Sequence, residues 1–519
     1  MFSEAEKERP RVQHAWEIEN HELLVIPSLS FPYKELATLT GSYHYEERIL
    51  FVLLALGAPL TRLVIVTTMP LDDWIIKYYF ALISPGLDIS GRVQFYSVGD
   101  PSPQQSLALK ILDRPRLLRR LKHSVATFRN PSLLINRGTE VEERLAAQLG
   151  IPYYAANPQQ AVYGTKHGSR DLFRKLQIPC ADGTYEAETD LDAFIEEIWK
   201  VLRRNPRATI GIVKLSDSFS GKGNAIMDLS DVQARLRQLE TSLLSCELGK
   251  DPELRQLTMV ALENMKFHSR TWVDFREELE ELGAIFELFI DLPVDGDDSS
   301  DQKRCVTSPS VQAVINEDGS LSILSTHEQI LDNQVYLGCE FPCLVDYRQH
   351  LMLFGRQIGE YLRERGVRGH FSVDFLCVPR SSKNEWDIYG IEVNLRITGT
   401  TLPFMMLRLL THGDTCEVTG LFQTPIDHIA KFYVSSDNVS DPSLRRLVPQ
   451  DLFEIIANRP DLHWDSMAQT GVFFHMLGCL SECGKIGMTA VANSLEEART
   501  LFIETNKYII KESNCIPFV

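Results

Sequence analysis

The sequence predicts an α/β protein of more than one domain, and three observations carry that expectation. The chain has 519 residues, too many for one hydrophobic core, so roughly two to four domains are expected. Residues 45–150 alternate helix-like and strand-like patterns, which implies a largely parallel sheet covered by helices. Two apolar-alternating runs, His370–Phe375 and Trp386–Arg396, flank the polar stretch Pro379–Glu385 and read as an antiparallel hairpin.

The elements follow in order. Tyr45–Gly57 reads as a helix ending at its glycine, and Arg62–Thr68 as a buried strand. A helix is expected over Leu71–Ile83, a strand over Arg92–Val98, and helical turns over Ser106–His123, interrupted by Pro115. Ser132–Ile135 and Ile151–Tyr154 read as strands around a helix at Glu140–Gly150. A helix around Gly168–Leu176 precedes the amphipathic Asp190–Arg204, whose Asp190 suits an N-cap. The strand Thr209–Leu215 leads into a small, polar loop, Ser216–Ala225. A helix around Asp231–Leu244 then precedes strands expected at Met259–Met265 and Ala284–Ile290. Val294–Cys305 is acidic and without periodicity, and reads as a loop. From about Leu402 helices alternate with short strands, and Gly471–Leu477 is the clearest core segment. No internal repeat is visible.

Composition narrows the function. A net charge of −17 and a pI of about 5.3 argue against general binding of nucleic acid or anionic membrane, either of which needs a basic face. The first twenty residues are charged throughout and lack an apolar core, so no secretory signal is expected. The longest apolar run, Ile49–Leu60, contains Gly57 and Pro59 and falls short of the ~20 residues that span a bilayer. The 10 cysteines are scattered; Cys339/Cys343 and Cys479/Cys483 have a spacing that does not build a standard zinc site. Reduced thiols and a cytoplasmic location are the expectation.

The hairpin carries the chemistry. In a strand, Glu392 and Asn394 leave the same face, with Arg396 beyond them. Pairing about the turn brings Asp374 within a residue or so of Glu392. Like charges facing across strands repel, so a cation is expected between them, either Arg396 or a metal. Two carboxylates and an amide oxygen are hard ligands of the kind that hold Mg²⁺. The loop Ser216–Gly223, after a strand carrying Lys214, has small residues whose backbone can approach phosphate. It is neither a Walker A loop nor a dinucleotide fingerprint, and taken alone it also fits a flexible connection. Lys166, at the start of a helix, is a second phosphate candidate; taken alone it also fits a solvated lysine.

Together these residues resemble the ATP-grasp superfamily over roughly residues 155–410: Lys166, then Lys214 before a Gly/Ser-rich flap, an acidic-apolar hinge at Phe286–Asp291, and Asp374 with Glu392, Asn394 and Arg396. The segments around Ser30–Leu54, Asn394–Leu407 and Thr470–Val491 further resemble the pheganomycin-type peptide ligases. The resemblance implies an N-terminal α/β domain at 1–155, an ATP-grasp domain of two subdomains at 156–410, and a C-terminal α/β extension at 411–519. It implies that Lys166 and Lys214 contact the ATP phosphates and that Ser220, Gly221 and Gly223 close over them. Glu287, Leu288, Phe289 and Ile290 would hold adenine, with Glu287 and Asp291 both candidates for the ribose. Asp374, Glu392 and Asn394 would ligate Mg²⁺ or Mn²⁺; the family pattern often has Glu where Asp374 stands.

The activity implied is ligation of a carboxylate to an amine through an acyl phosphate, with release of ADP and phosphate. It would join an amino acid or related acid to an amino acid or peptide in specialised metabolism. Arg396, with Lys214, would neutralise the reacting phosphate. The alternatives are a small-molecule kinase of the same fold and a non-catalytic ATP-binding protein. His327 and Glu328, and the stretch Thr398, Gly399, Thr400, are candidate substrate contacts, against surface or capping residues and a plain turn. His475 reads as a packed core histidine. Small-molecule partners are expected, with no nucleic acid and no membrane. Many ATP-grasp ligases are dimers, and the length is compatible with a homodimer.

Overall fold

The computed structural model describes residues 20–31, 36, 41–83, 89, 91–218, 221, 223–241, 251–267, 270–290, 305–332, 334–380 and 385–515. Near the N-terminus, β1 (Glu22–Ile26), β2 (Arg62–Thr67), β3 (Val93–Ser97) and β4 (Pro131–Ile135) form a parallel sheet in the order β3-β2-β1-β4. Both faces are buried, as parallel sheets require. Leu23 and Val25 enter one core while Leu24 and Ile26 enter another, because successive side chains leave opposite faces. The expected helices at Asp73–Leu82, Leu107–Leu112, Pro115–Val125 and Glu140–Leu149 are present, with Pro115 opening its helix. Ser42–Gly57 is a 3₁₀ helix, where apolar periodicity predicts only a helix. Its run Ile49–Leu56 is buried on every side, so packing rather than one apolar stripe sets its winding.

The next unit is a small antiparallel sheet: β5 (Ile210–Leu215), β6 (Asn224–Asp228), β7 (Lys266–Phe267) and β8 (Ala284–Leu288), in the order β7-β6-β5-β8. Helix Leu191–Arg204 covers it with its apolar stripe, and the Asp190 side chain accepts from Ala193 N at 2.9 Å. The strand expected at Met259–Met265 is not formed there. Residues Pro252–Glu263 are a helix, started by Pro252 and capped by Asp251, with Leu254, Thr258 and Leu262 buried four apart. The apolar alternation at its end fits either period, and the cap decides.

The largest sheet has eight strands: β9 (Pro309–Ile315), β10 (Leu321–Asp332), β11 (Val335–Phe341), β12 (Gly369–Pro379), β13 (Trp386–Asn394), β16 (Phe432–Ser440), β17 (Gly471–His475) and β18 (Lys485–Ala492). A two-residue pair, β14 (Asp414–Thr415) with β15 (Phe422–Gln423), stands apart. The order is β13-β12-β9-β10-β11-β16-β18-β17, and every neighbouring pair is antiparallel. Helices Val345–Glu364 and Leu495–Cys515 pack on it. Strands after residue 411 therefore continue the sheet that carries the hairpin. One core joins Leu50, Phe341, Leu402, Tyr433 and Phe473, which lie in all three sequence regions. Among the described residues no helix is long and apolar enough to cross a membrane, and the described cysteines are free thiols.

Candidate active site

The hairpin forms in the expected register. Asp374 stands directly opposite Glu392, and Ser372 opposite Asn394. A bulge follows between Asp374 and Phe375, which re-aims the strand locally. Asp374 Oδ2 accepts from the Asn394 amide at 3.0 Å, and Asp374 Oδ1 from Gln329 Nε2 at 3.0 Å. Arg396 Nη2 donates to Asn394 Oδ1 at 2.8 Å. Lys166, the first residue of helix Lys166–Lys175, reaches Glu392 at 2.5 Å. That helix is fixed to β13 because Val393 N donates to Ser169 Oγ at 3.0 Å. Burial, and then the neighbouring Glu392, push Asp374 up to about 7. Burial lowers the Arg396 guanidinium from its ordinary value, with Arg137 and Arg48 adding repulsion.

The donor set fits a divalent cation: two opposed carboxylates and an amide, with a buried Asp374 whose charged form is disfavoured by burial and by Glu392 despite Arg396 and Lys166 nearby. Among the described residues no group of three His, Cys, Asp or Glu side chains converges as a metal site; beside the two carboxylates stands the amide of Asn394.

The small sheet supplies the second cationic centre. Lys214 and Ile212 alternate with Val213 and share the face away from the helices. Lys214 Nζ lies 2.5 Å from Glu287 Oε2, and Arg170 Nη1 lies 3.1 Å from Glu287 Oε1. Lys214 and Arg170 together hold the Glu287 carboxylate below its ordinary range against the cost of burial. Gly221 sits at a φ of +72°, and a Cβ there would meet Gln334 O at 2.2 Å; the flap rests on the β10–β11 turn, with Asn224 Nδ2 donating to Gln334 Oε1 at 3.0 Å. A Cβ on Gly223 would meet Ser218 Oγ at 2.3 Å. Ser220 and Asp291 lie outside the described residues, as does most of the acidic loop.

One cavity of about 920 Å³ connects these groups. The segment Glu287, Leu288, Phe289, Ile290 lines it, together with Lys166, Lys214 and Gly221 and with Asp374, Glu392, Asn394 and Arg396. Thr398, Gly399 and Thr400 also line it, just before helix Thr401–Thr411. Gln312 fixes this turn, donating to Thr400 Oγ1 at 2.5 Å and accepting from Thr398 Oγ1 at 3.1 Å. The segment after β4 joins the wall: Asn136 and Ile397 both line the cavity, and Ile397 N donates to Asn136 O at 3.0 Å.

Two expected substrate contacts lie elsewhere. His327 is fully buried between Phe341 and Tyr433, with its Nε2 2.6 Å from Tyr433 Oη, and burial lowers it to about 3. Glu328 accepts from Tyr347 and is pushed up to about 7 by burial. Neither lines the cavity. His475 is buried in the core. Sequence reasoning missed Arg170, Gln329, Gln312 and Gln334. Arg170 stands one helical turn after Lys166, a spacing that places both on one face; the glutamines sit in or beside strands with no spacing signal.

Residues 158–416 match the family described as IQCH-like, ATP-grasp, and residues 452–502 the family described as PGM1 C-terminal domain. An L-propargylglycine–L-glutamate ligase from Streptantibioticus cattleyicolor is 25% identical over 461 residues, covering 87% of this chain and 86% of that protein. The IQ motif-containing protein H of Danio rerio is 20% identical over 421 residues, and these span 77% of this chain but 38% of that protein. Among solved structures, the ADP complex of purK, an N5-carboxyaminoimidazole ribonucleotide synthetase, aligns with a TM-score of 0.50 at 10% identity, over 95% of this chain and 98% of that one. With the two-lysine and hairpin geometry in place, the chain is an ATP-binding member of the ATP-grasp superfamily, an ADP-forming enzyme similar to the peptide ligases.

Proposed function

We propose that this enzyme ligates a carboxylate to an amine through an acyl phosphate, with an amino acid or peptide among its substrates. The observation that carries the reading is the single cavity that runs from the hinge past Lys214 and Lys166 to Asp374, Glu392 and Arg396, and continues beyond them. In this reading a nucleotide would lie along the hinge and the two lysines. The remainder is room for an acid and an amine. The relative named for joining two amino acids lends the substrate class.

In this reading Glu287, Leu288, Phe289 and Ile290 hold adenine, the ribose lies at Glu287 or Asp291, and Ser220, Gly221 and Gly223 belong to the flap over the phosphates. Asp374, Glu392 and Asn394 would hold Mg²⁺ or Mn²⁺, which supplies charge neutralisation on the triphosphate. Lys166 and Lys214 leave their carboxylates to meet phosphate oxygens. A substrate carboxylate oxygen attacks the γ-phosphorus, the bond to ADP breaks, and an acyl phosphate forms. The amine nitrogen then attacks the acyl carbon, phosphate departs and the nitrogen loses a proton. Arg396, beside the N-terminal turn of helix Thr401–Thr411, stabilises the negative charge that develops there. Catalysis is positioning plus electrostatics, so no enzyme nucleophile is required.

The test is incubation with Mg²⁺, ATP and a pool of amino acids and short peptides, read by mass spectrometry. ADP together with a condensed amide is the expected outcome. ADP with only a phosphorylated acceptor would replace the ligase by a kinase.

A further inference from the structure

The far end of the cavity is cationic, and its charge comes from parts of the chain outside the ATP-grasp match. Arg48, from the N-terminal 3₁₀ helix, and Arg445 and Lys485, from the C-terminal region, all line it. Three strands separate β12 from β16, so the β16 strand, beside which Lys485 and Arg445 stand, lies roughly 19 Å along the sheet from the Asp374 strand at ~4.8 Å per strand step, while Arg48 is near enough to Arg396 to repel it. Lys485 and Arg445 are therefore set apart from the place of the transferred phosphate.

Tyr45 organises the group. Its ring carries the Arg48 guanidinium at 4.4 Å and the Lys485 ammonium at 4.8 Å, and its hydroxyl accepts from Lys485 Nζ at 2.7 Å. Lys485 pairs with Ser440 across β18 and β16, and Arg445 packs its stem on Gly484, where a Cβ would lie 2.9 Å from Arg445 Cγ. The acidic groups nearby are engaged. Asp437 is paired with Arg48, Glu47 with His44 and Gly478 N, Glu482 with Tyr43 and His44, and Asp441 with Ser443. No ion pair joins Lys485 or Arg445 to a carboxylate among the described residues. Elsewhere on the cavity wall, Lys166 and Lys214 each have one. In a chain of net charge −17, two unmatched cations on a cavity wall focus anion binding there.

We propose that this end of the cavity binds a carboxylate that the reaction does not consume, through Lys485 and Arg445. An ammonium point charge and a guanidinium fork lining the same cavity each suit a carboxylate. The proposal rests on the ligase reading for what the anion belongs to: either a second carboxylate of the acid being activated, or the α-carboxylate of an amino-acid amine. The C-terminal region is then a specificity element.

The test compares the wild-type enzyme with Lys485→Met, Arg445→Ala and the conservative Lys485→Arg. Two matched sets are used: L-glutamate against L-glutamine as acid, and L-alanine against L-alaninamide as amine. The expected result is a preference for the charged member of one set. Lys485→Met and Arg445→Ala raise its KM about tenfold or more, KM for ATP moves less than about threefold, and Lys485→Arg restores most of the loss. Which set responds names the carboxylate's source. A wild-type enzyme indifferent to charge in both sets, or variants that leave the preference intact, overturns the proposal. If the wild-type protein makes no amide, the ligase reading fails separately, and calorimetry with L-glutamate in the presence of MgADP decides the subsite. Binding lost in Lys485→Met supports it, and equal binding or none in the wild type overturns it. Melting curves confirm that each variant is folded.

Discussion

Lys166 and Glu392 meet at 2.5 Å, joining the first turn of a helix to the strand opposite Asp374. The lysine expected at the phosphates and the carboxylate expected at the cation are thus each other's partners. ATP with its cation would replace one internal pair by two new ones, so both groups stay neutralised throughout. Lys214 and Glu287 repeat the arrangement on the small sheet at 2.5 Å.

Arg396→Ala should reduce ADP release by about 100-fold or more. Stability should change little, because burial of the cation and repulsion by Arg137 and Arg48 offset its attraction to Glu392 and Asp374. Single-turnover ADP formation and a melting curve check both halves, and normal turnover would remove Arg396 from the mechanism. Glu392→Gln should also abolish turnover, but at a cost of about 1–2 kcal/mol, since Lys166 keeps only an amide oxygen.

Glu287→Ala should be strongly destabilising. It leaves Lys214 and Arg170, which are 5% and 2% exposed, without their shared carboxylate. Breaking a buried ion pair from one side costs about 3–5 kcal/mol. Urea unfolding measures this, and a loss under about 1 kcal/mol would mean that water reaches the pair.

Gly221→Ala should raise KM for ATP about tenfold with little change in melting temperature. The added methyl meets the Gln334 carbonyl, and the backbone there has a positive φ. The flap must then leave its seat on the β10–β11 turn. Unchanged nucleotide affinity would detach the flap from ATP binding.

Glu46 and Glu328 should each contribute a loss of stability as pH rises from about 5 to about 8, opposed below about 6.5 by the buried histidines His327, His370 and His475, which stay neutral in the fold. Burial pushes both Glu46 and Glu328 up to about 7. In the unfolded chain these carboxyls lose their protons near 4.5, so between the two values they bind more protons in the folded state, and their contribution to stability declines with pH. Glu328→Gln, which keeps the acceptor for Tyr347, should flatten that decline by at most about 3 kcal/mol. Chemical denaturation across the range reads it; a slope identical to the wild type would show that Glu328 is ionised in the fold.

The hairpin was legible because its two strands alternate, its turn is polar, and ligand spacing within a strand needs no tertiary information. The parallel N-terminal sheet was legible for similar reasons, apart from β1, which is a short apolar run behind a charged leader. Met259–Met265 was not, because its apolar pattern fits both periods and the deciding signals, Asp251 and Pro252, lie a full helix earlier. Nor does any local pattern announce that β16 pairs with β11, or that Gln329 and Asn394 both donate to Asp374. Such partners are about 90 and more residues apart or depend on which strand lies alongside. His327 shows the converse: a polar residue in the right region that folding consigns to the core.

The continuity of the eight-stranded sheet bears on how this enzyme can be handled and how it can have evolved. The family match ends at residue 416, yet β11 hydrogen-bonds to β16 and Phe341 stacks on Tyr433 at 4.7 Å. A fragment trimmed at that boundary would expose the β11 edge and an aromatic face, both invitations to aggregate. The catalytic module cannot be excised or swapped as a cassette, and any lineage that replaces the C-terminal region must supply new strands to close the same edge.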